Sequence, residues 1–256
     1  MSKNMPVVLT IGGHDPSGGA GITSDVNTIY SLKCHPLSLI SCITNQNTKE
    51  YKSLKTVDPI FFAEQADSVL SDVNIDAVKI GVLGDLKIVE ETRKILDKLQ
   101  STKIVIDPVL KASSGGILSS KEVMEAIKTL IFPKAYLATP NFDEVKELSG
   151  ENELSNQLNE IFSFTSKYLL IKDIGKSKNN ITNKLFLNKQ LMRTWSNPRI
   201  EGYFHGTGCY LASSIACFLA RNKNMELAID LALKETNNAI KGSFVLGKGQ
   251  KILRKL

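Results

Sequence analysis

Two stretches of this sequence combine glycine with groups that can handle an anion or a proton. Gly13-His14-Asp15-Pro16-Ser17-Gly18-Gly19-Ala20-Gly21-Ile22 holds four glycines in ten residues. That density removes side chains where a backbone turns sharply or closes on a ligand. The spacing is neither the G-x-G-x-x-G of a dinucleotide fingerprint nor the G-x-x-x-x-G-K-[ST] of a P-loop. Read alone, the stretch is equally a plain strand-to-helix connection. His205-Gly206-Thr207-Gly208-Cys209 opens an apolar helical stretch running through Leu211, Ile215, Cys217 and Leu219. Its glycines leave the first amides unobstructed, and the positive end of the helix dipole there suits a phosphate or an oxyanion. Cys209 falls in the first turn, where the same field is expected to lower its pKa. Cys217, among Ala216, Phe218 and Leu219, reads as core. A cysteine hydrolase using Cys209 and His205 is a different reading of the same residues. The glycine-rich turn between the two and the lack of a third, orienting group disfavour it.

A third group of residues sits at the ends of apolar runs. Asp107 follows one, in Ile106-Asp107-Pro108-Val109. Thr139-Pro140-Asn141-Phe142-Asp143-Glu144 follows another and sets Asn141 and Glu144 one helical turn apart. A carboxylate there suits Mg²⁺ held mainly through waters and substrate phosphates. The same two residues also read as a helix N-cap and its capping-box partner. Lys172 ends the run 168–171, within reach of a phosphate. Gathered at one edge, these groups point to phosphoryl transfer, where catalysis is mostly positioning and charge neutralisation.

The elements that must position them follow from periodicity. Short β-rich runs at 7–11, 37–43, 77–80, 104–106, 135–138 and 168–171 read as strands. Helical stretches lie between them at 21–33, 59–71, 86–99, 120–131, 141–149 and 153–165, with closing helices at 206–222 and 225–242. The segments 184–187 and 190–194 flank Asn188-Lys189 as a hairpin. Strand–helix alternation predicts an α/β fold with a mainly parallel sheet and helices on both faces. Ligands of such sheets sit beyond the carboxyl ends of the strands, where the motifs above fall. No linker, repeat or low-complexity block divides the 256 residues, so one domain over 1–256 is expected.

Composition narrows the classes. Hydrophobic residues make up 42% and charged residues 23%, as in an ordinary soluble globular chain. The net charge of +6 fits an anionic ligand such as a nucleoside triphosphate. Its basic residues are scattered, without the aromatic interleaving of single-strand nucleic-acid binders, so no nucleic-acid partner is expected. The first apolar run is too short for an export signal or a membrane span. The chain is therefore expected to be cytoplasmic, not membrane-bound, with Cys34, Cys42, Cys209 and Cys217 as reduced thiols. His14, His35 and His205 form no ligand pair.

Residues 13–22 with Asp25, Gln46-Asn47-Thr48, Lys79-Ile80-Gly81-Val82, Asp107-Pro108-Val109, Thr139-Pro140-Asn141 and residues 205–209 occur in one order along nearly the whole chain. In that order they resemble the hydroxymethylpyrimidine/phosphomethylpyrimidine kinase family, of the ribokinase-like three-layer fold. The first and last motifs are specific to that family; the middle ones are shared more widely among ribokinase-like kinases. The resemblance implies ATP-dependent phosphorylation, with Mg²⁺, of 4-amino-5-hydroxymethyl-2-methylpyrimidine, its monophosphate, or both, in thiamin biosynthesis. It implies that Gly13, Asp25, Thr44, Gln46, Val82, Val109 and Cys209 line the pyrimidine pocket. Gly206, Thr207 and Gly208 would form the anion hole, and Cys209 would act as base or positioner for the acceptor hydroxyl. Asp107, Asn141 and Glu144 would organise Mg²⁺ and its waters, and Lys172 would contact ATP phosphates. A homodimer is also implied. Three features depart from the family: Asp173-Ile174-Gly175 replaces Gly-Gly-His after Lys172, the segment 150–168 is shorter, and Asn183 stands where an aspartate is common. Asp173 is expected to repel nucleotide phosphates unless it turns away or binds a metal. A pyridoxal-type kinase and a pyrimidine-binding protein without turnover are the alternatives.

Overall fold

The computed structural model describes residues 5–112, 115–164 and 167–255. The chain opens with strand β1 (Val7–His14), helix α1 (Gly21–Ser31), β2 (His35–Gln46) and β3 (Tyr51–Thr56). Next come α2 (Pro59–Asp72), β4 (Ala77–Ile80), α3 (Leu86–Lys98), β5 (Lys103–Ile106) and α4 (Lys121–Ala126). They are followed by β6 (Leu137–Ala138), α5 (Phe142–Ser149), α6 (Leu154–Phe164) and β7 (Tyr168–Ile171). The hairpin β8 (Asn180–Leu187) and β9 (Gln190–Pro198), β10 (Phe204–His205), α7 (Thr207–Ala220), α8 (Met225–Lys241) and β11 (Lys251–Ile252) complete the order.

Nine strands form one sheet in the order β3-β2-β1-β4-β5-β6-β7-β8-β9. Pairing is parallel from β2 to β7, while β3, β8 and β9 run antiparallel to their neighbours. The pleat sends successive side chains to opposite faces. Val8, Ala77, Val105 and Leu170 therefore pack on Ile29 of α1, Ile215 of α7 and Ile229 of α8. Their neighbours Leu9, Val78, Ile106 and Leu169 pack on Phe62, Ile88, Val145 and Ile161 of α2, α3, α5 and α6. With both faces covered, the strands read as continuous apolar runs. This is the ribokinase-like three-layer α/β arrangement.

Several boundaries differ from expectation for local reasons. The helix expected over 120–131 is α-helical only to Ala126; a π-turn at Ile127–Ile131 and a 3₁₀ turn at Phe132–Lys134 follow. Pro133 has no N–H to extend the ladder. Strand β3 was not anticipated: it is a polar edge strand, Tyr51-Lys52-Ser53-Leu54-Lys55-Thr56, without a buried face to pattern it. The hairpin is longer than expected, and its turn residues Asn188 and Lys189 both have positive φ, 47° and 71°, the signature of a primed turn. β10 and β11 are two-residue pairs, too short for any periodicity to show. α6 ends at Phe164, and residue 165 of the expected helix lies outside the described residues. Among the described residues no helix is long and apolar enough to cross a membrane.

Candidate active site

A cavity of about 830 Å³ opens at the carboxyl ends of the parallel strands, where open α/β sheets place their ligands. Gly13 at the end of β1, Thr44 and Gln46 of β2, Val82 after β4, and Asp107 and Val109 after β5 line it. Asn141 and Glu144 after β6, Lys172 after β7, and Gly206, Thr207, Gly208 and Cys209 at the start of α7 complete this wall. Strand order spreads these groups along a crevice, with Gln46 at the β2 end and Lys172 towards the hairpin end. Among the described residues the Gln46 amide has no hydrogen-bond partner, whereas the Thr44 hydroxyl donates to the His14 carbonyl at 3.0 Å.

The start of α7 is shaped by its glycines. Gly206, the N-cap, has φ 79°, and a side chain there would run into the carbonyl oxygen of Gly19. A Cβ on Gly208 would stand 3.3 Å from Asp107 Oδ2 and 3.4 Å from Lys172 Nζ. The first turn of α7 therefore lies directly against an ion pair, in which Lys172 Nζ donates to Asp107 Oδ1 at 2.6 Å. Burial alone would lower the Lys172 pKa, but Asp107 and Glu144 beside it raise it. This ammonium is thus a fixed positive charge at the end of a helix dipole of the same sign, an arrangement that favours an anion between them.

Asn141 and Glu144 form the capping box: Glu144 N–H donates to Asn141 Oδ1 at 2.9 Å, and Asn141 N–H to Glu144 Oε2 at 2.7 Å. Burial pushes the Glu144 carboxyl up to about 7, Lys172 pulls it down, and Asp107 pushes it up again. Capping uses Glu144 Oε2, and a Leu110 backbone N–H also favours the charged carboxylate. Among the described residues no group of three or more His, Cys, Asp or Glu could form an all-protein metal cage. Two neighbouring carboxylates, Asp107 and Glu144, do fit a Mg²⁺ whose other ligands are waters and phosphates.

Two expectations are corrected. Asp25 does not line the cavity. It is fully buried behind the wall, where its carboxylate accepts from Lys79 Nζ at 2.7 Å, Thr10 Oγ1 at 2.7 Å and Ser213 Oγ at 2.8 Å. The Cys209 pKa is raised, not lowered. Burial outweighs the Lys79 charge and the Gly21 amide that favour the thiolate, and Asp25 and Asp107 oppose it further.

Other residues at the site were missed. Lys79 lines the cavity from the middle of β4 and is 1% exposed, with Asp25, Cys209 and Asp107 together raising its pKa against burial. A lysine inside a fully buried strand demands a buried partner, and that signal was there to read. His205 Nε2 lies 2.8 Å from Asp15 Oδ2, while Ser17 and Ala20 N–H also donate to Asp15. This links the glycine-rich loop to the start of α7. Beyond Lys172, Asp173 neither faces the cavity unpaired nor lacks support: Arg199 Nη2 donates to both its oxygens at 2.7 and 2.9 Å. Residues 197–203 and Leu233, Thr236, Asn237 and Ile240 of α8 wall that end.

The profile of the phosphomethylpyrimidine kinase family matches residues 15–254. The chain belongs to the phosphomethylpyrimidine kinase family. Hydroxymethylpyrimidine/phosphomethylpyrimidine kinases of Escherichia coli and Aquifex aeolicus are 33% and 32% identical to it. The alignments cover 95% and 96% of this chain and 94% and 99% of those proteins. Against a thiamine biosynthesis bifunctional protein of Geobacter sulfurreducens, 32% identical, this kinase-family chain aligns over 94% of its own length and 50% of the relative's. Among solved structures, an ADP complex of Bacillus subtilis pyridoxal kinase superposes with a TM-score of 0.87 at 26% identity, covering 98% of each chain. A phosphomethylpyrimidine kinase from Clostridium difficile gives 0.79 at 29% identity, covering 92% of this chain and 99% of its own. Membership makes this chain a phosphotransferase.

Proposed function

We propose that the protein transfers the γ-phosphoryl group of ATP to the hydroxymethyl group of an aminopyrimidine, 4-amino-5-hydroxymethyl-2-methylpyrimidine, or to the phosphate of its monoester. One observation carries this reading: a single crevice holds the Gln46 amide, without a hydrogen-bond partner among the described residues, at one end and, further along, the first turn of α7 against Lys172. A glutamine amide offers one donor face and one acceptor face, which matches a ring nitrogen beside an exocyclic amine. Val82 and Val109 supply apolar contact for the ring.

The acceptor oxygen would sit at Cys209. For the hydroxymethyl acceptor, its proton passes to the thiolate form of Cys209 Sγ as the oxygen bonds to the γ-phosphorus, and the bond from that phosphorus to the bridging oxygen breaks to release ADP. A thiol with a raised pKa has few thiolates at neutral pH, but each is a stronger base. The amides of residues 206–209 and the Lys172 ammonium are placed to take up the charge of the transferring group. Asp107 and Glu144 would hold Mg²⁺ through waters; when bound, it neutralises phosphate charge.

The likeness to the Bacillus subtilis pyridoxal kinase supports a second reading, phosphorylation of pyridoxal in the same crevice. Incubation with Mg-ATP and each of the free pyrimidine, its monophosphate and pyridoxal, with products identified by mass, tests the assignment. A phosphorylated pyrimidine is the expected result; ADP formation with none of the three overturns it.

A further inference from the structure

The end of the crevice beyond Lys172 carries a charge arrangement that phosphoryl transfer does not explain. Asp173 directly follows Lys172 and lines the cavity, so its carboxylate stands at the end that, on the kinase reading, takes the nucleotide phosphates. Its position is fixed twice over. The backbone is left-handed, φ 53°, a conformation aspartate tolerates better than most residues. Its N–H donates to the side-chain oxygen of Asn183 at 3.1 Å, and Asn183 is buried at 3% exposure. Because Asn183 is an amide, it accepts this bond without adding a second negative charge beside Asp173.

Among the described residues, the Asp173 carboxylate is paired with one cation, Arg199. Arg199, on the segment after β9, donates from Nη2 to both carboxylate oxygens and from Nε to the Ser177 carbonyl at 2.9 Å. The two side chains are 28% and 31% exposed, so the pair is partly shielded from solvent and only partly screened. We propose that Arg199 is a positioning residue for the nucleotide: it cancels the Asp173 carboxylate that would otherwise repel the phosphates, and it ties the 197–203 wall to the turn after Lys172. The assignment rests on the kinase reading.

A charge-compensating role and a plain structural staple make different predictions. Removing Arg199 alone leaves an unpaired carboxylate facing the nucleotide, and removing both partners takes the repulsion away. Arg199→Ala, Asp173→Asn, the double variant and Arg199→Lys are compared with wild type by steady-state kinetics and by calorimetric titration with ADP. Arg199→Ala is expected to raise the KM for ATP and the Kd for ADP about tenfold or more, a defect that shrinks as salt screens the carboxylate. The double variant is expected to return to within about threefold of wild type, with Arg199→Lys in between. The acceptor KM should change less than about twofold throughout. Because the double variant and Arg199→Lys are read alongside, poor folding of Arg199→Ala does not decide the outcome.

Equal nucleotide defects in Arg199→Ala and the double variant, or an acceptor KM that moves with the ATP KM, would overturn the assignment and leave the kinase reading standing. A wild-type protein that binds no ADP and turns over no ATP defeats the kinase reading itself, and this assignment with it.

Discussion

Cys209 occupies the first turn of α7, yet burial and the carboxylates of Asp25 and Asp107 outweigh the local positive field and hold its pKa up. At neutral pH the group is therefore mostly a thiol, and on the proposed function its reactive thiolate fraction grows as pH rises. Cys209→Ala should lower kcat by about 10² to 10³ while leaving the acceptor KM within about threefold. The wild-type kcat should climb between pH 7 and 9, and the variant's should stay flat over the same range; equal profiles would remove the thiol from the proton transfer. Lys79 belongs to the same scale. Its ammonium and Asp25 are both fully buried, so Lys79→Met leaves a carboxylate without its cation and should destabilise the fold by about 3–5 kcal/mol. Urea unfolding checks this, and Lys79→Met with Asp25→Leu should recover part of the loss. Lys79 was legible as an oddity, since a lysine among Ala77, Val78 and Ile80 has no solvent to face. Its partner was not, because Asp25 is 54 residues away on another element.

At the scale of elements, the glycine-rich turn that opens α7 depends on contacts that cross the chain. Asp15 and His205 are 190 residues apart in sequence, and their pairing holds the loop before α1 against the residues that open α7. The β10–β11 pair, Phe204–Lys251 and His205–Ile252, braces the same turn from the other side. Burial opposes ionisation of Asp15, but hydrogen bonds from His205 and Ser17 win and hold its pKa below the ordinary aspartate value. A carboxyl with a depressed folded-state pKa stabilises the fold fully above its unfolded value and loses that contribution as pH falls through the folded one. Asp15→Asn should therefore be less stable than wild type at pH 6, with the gap in Tm closing as pH is lowered from 4 towards 2. Thermal unfolding across that range checks the sign; a gap that widens on acidification would contradict it. The capping box at α5 was visible in the sequence from Asn141 and Glu144 alone, because capping is a local rule. The Asp15–His205 link obeys no such rule and appears only once the sheet has folded.

The whole molecule shows which patterns survive translation into sequence. Apolar runs marked the six parallel strands β1, β2, β4, β5, β6 and β7, five of them largely buried and β2 only in part, and the glycine-rich turns marked the edge where the crevice lies. Strands without that burial, β3, β10 and β11, left no such trace. Gly13, Thr44, Gln46, Val82, Val109, Asp107, Asn141, Glu144 and Lys172 meet in one cavity with residues 206–209, while Asp25 supports that cavity from behind its wall. The far end, built from 197–203 and Leu233, Thr236, Asn237 and Ile240 of α8, carries residues whose types are ordinary and whose convergence depends on topology. On the proposed function, this crevice is expected to prefer an aminopyrimidine alcohol over pyridoxal. A single competition reaction containing Mg-ATP, 4-amino-5-hydroxymethyl-2-methylpyrimidine and pyridoxal in equal amounts measures that preference as the ratio of the two kcat/KM values. The pyrimidine is expected to be phosphorylated first; faster consumption of pyridoxal would contradict the proposed function.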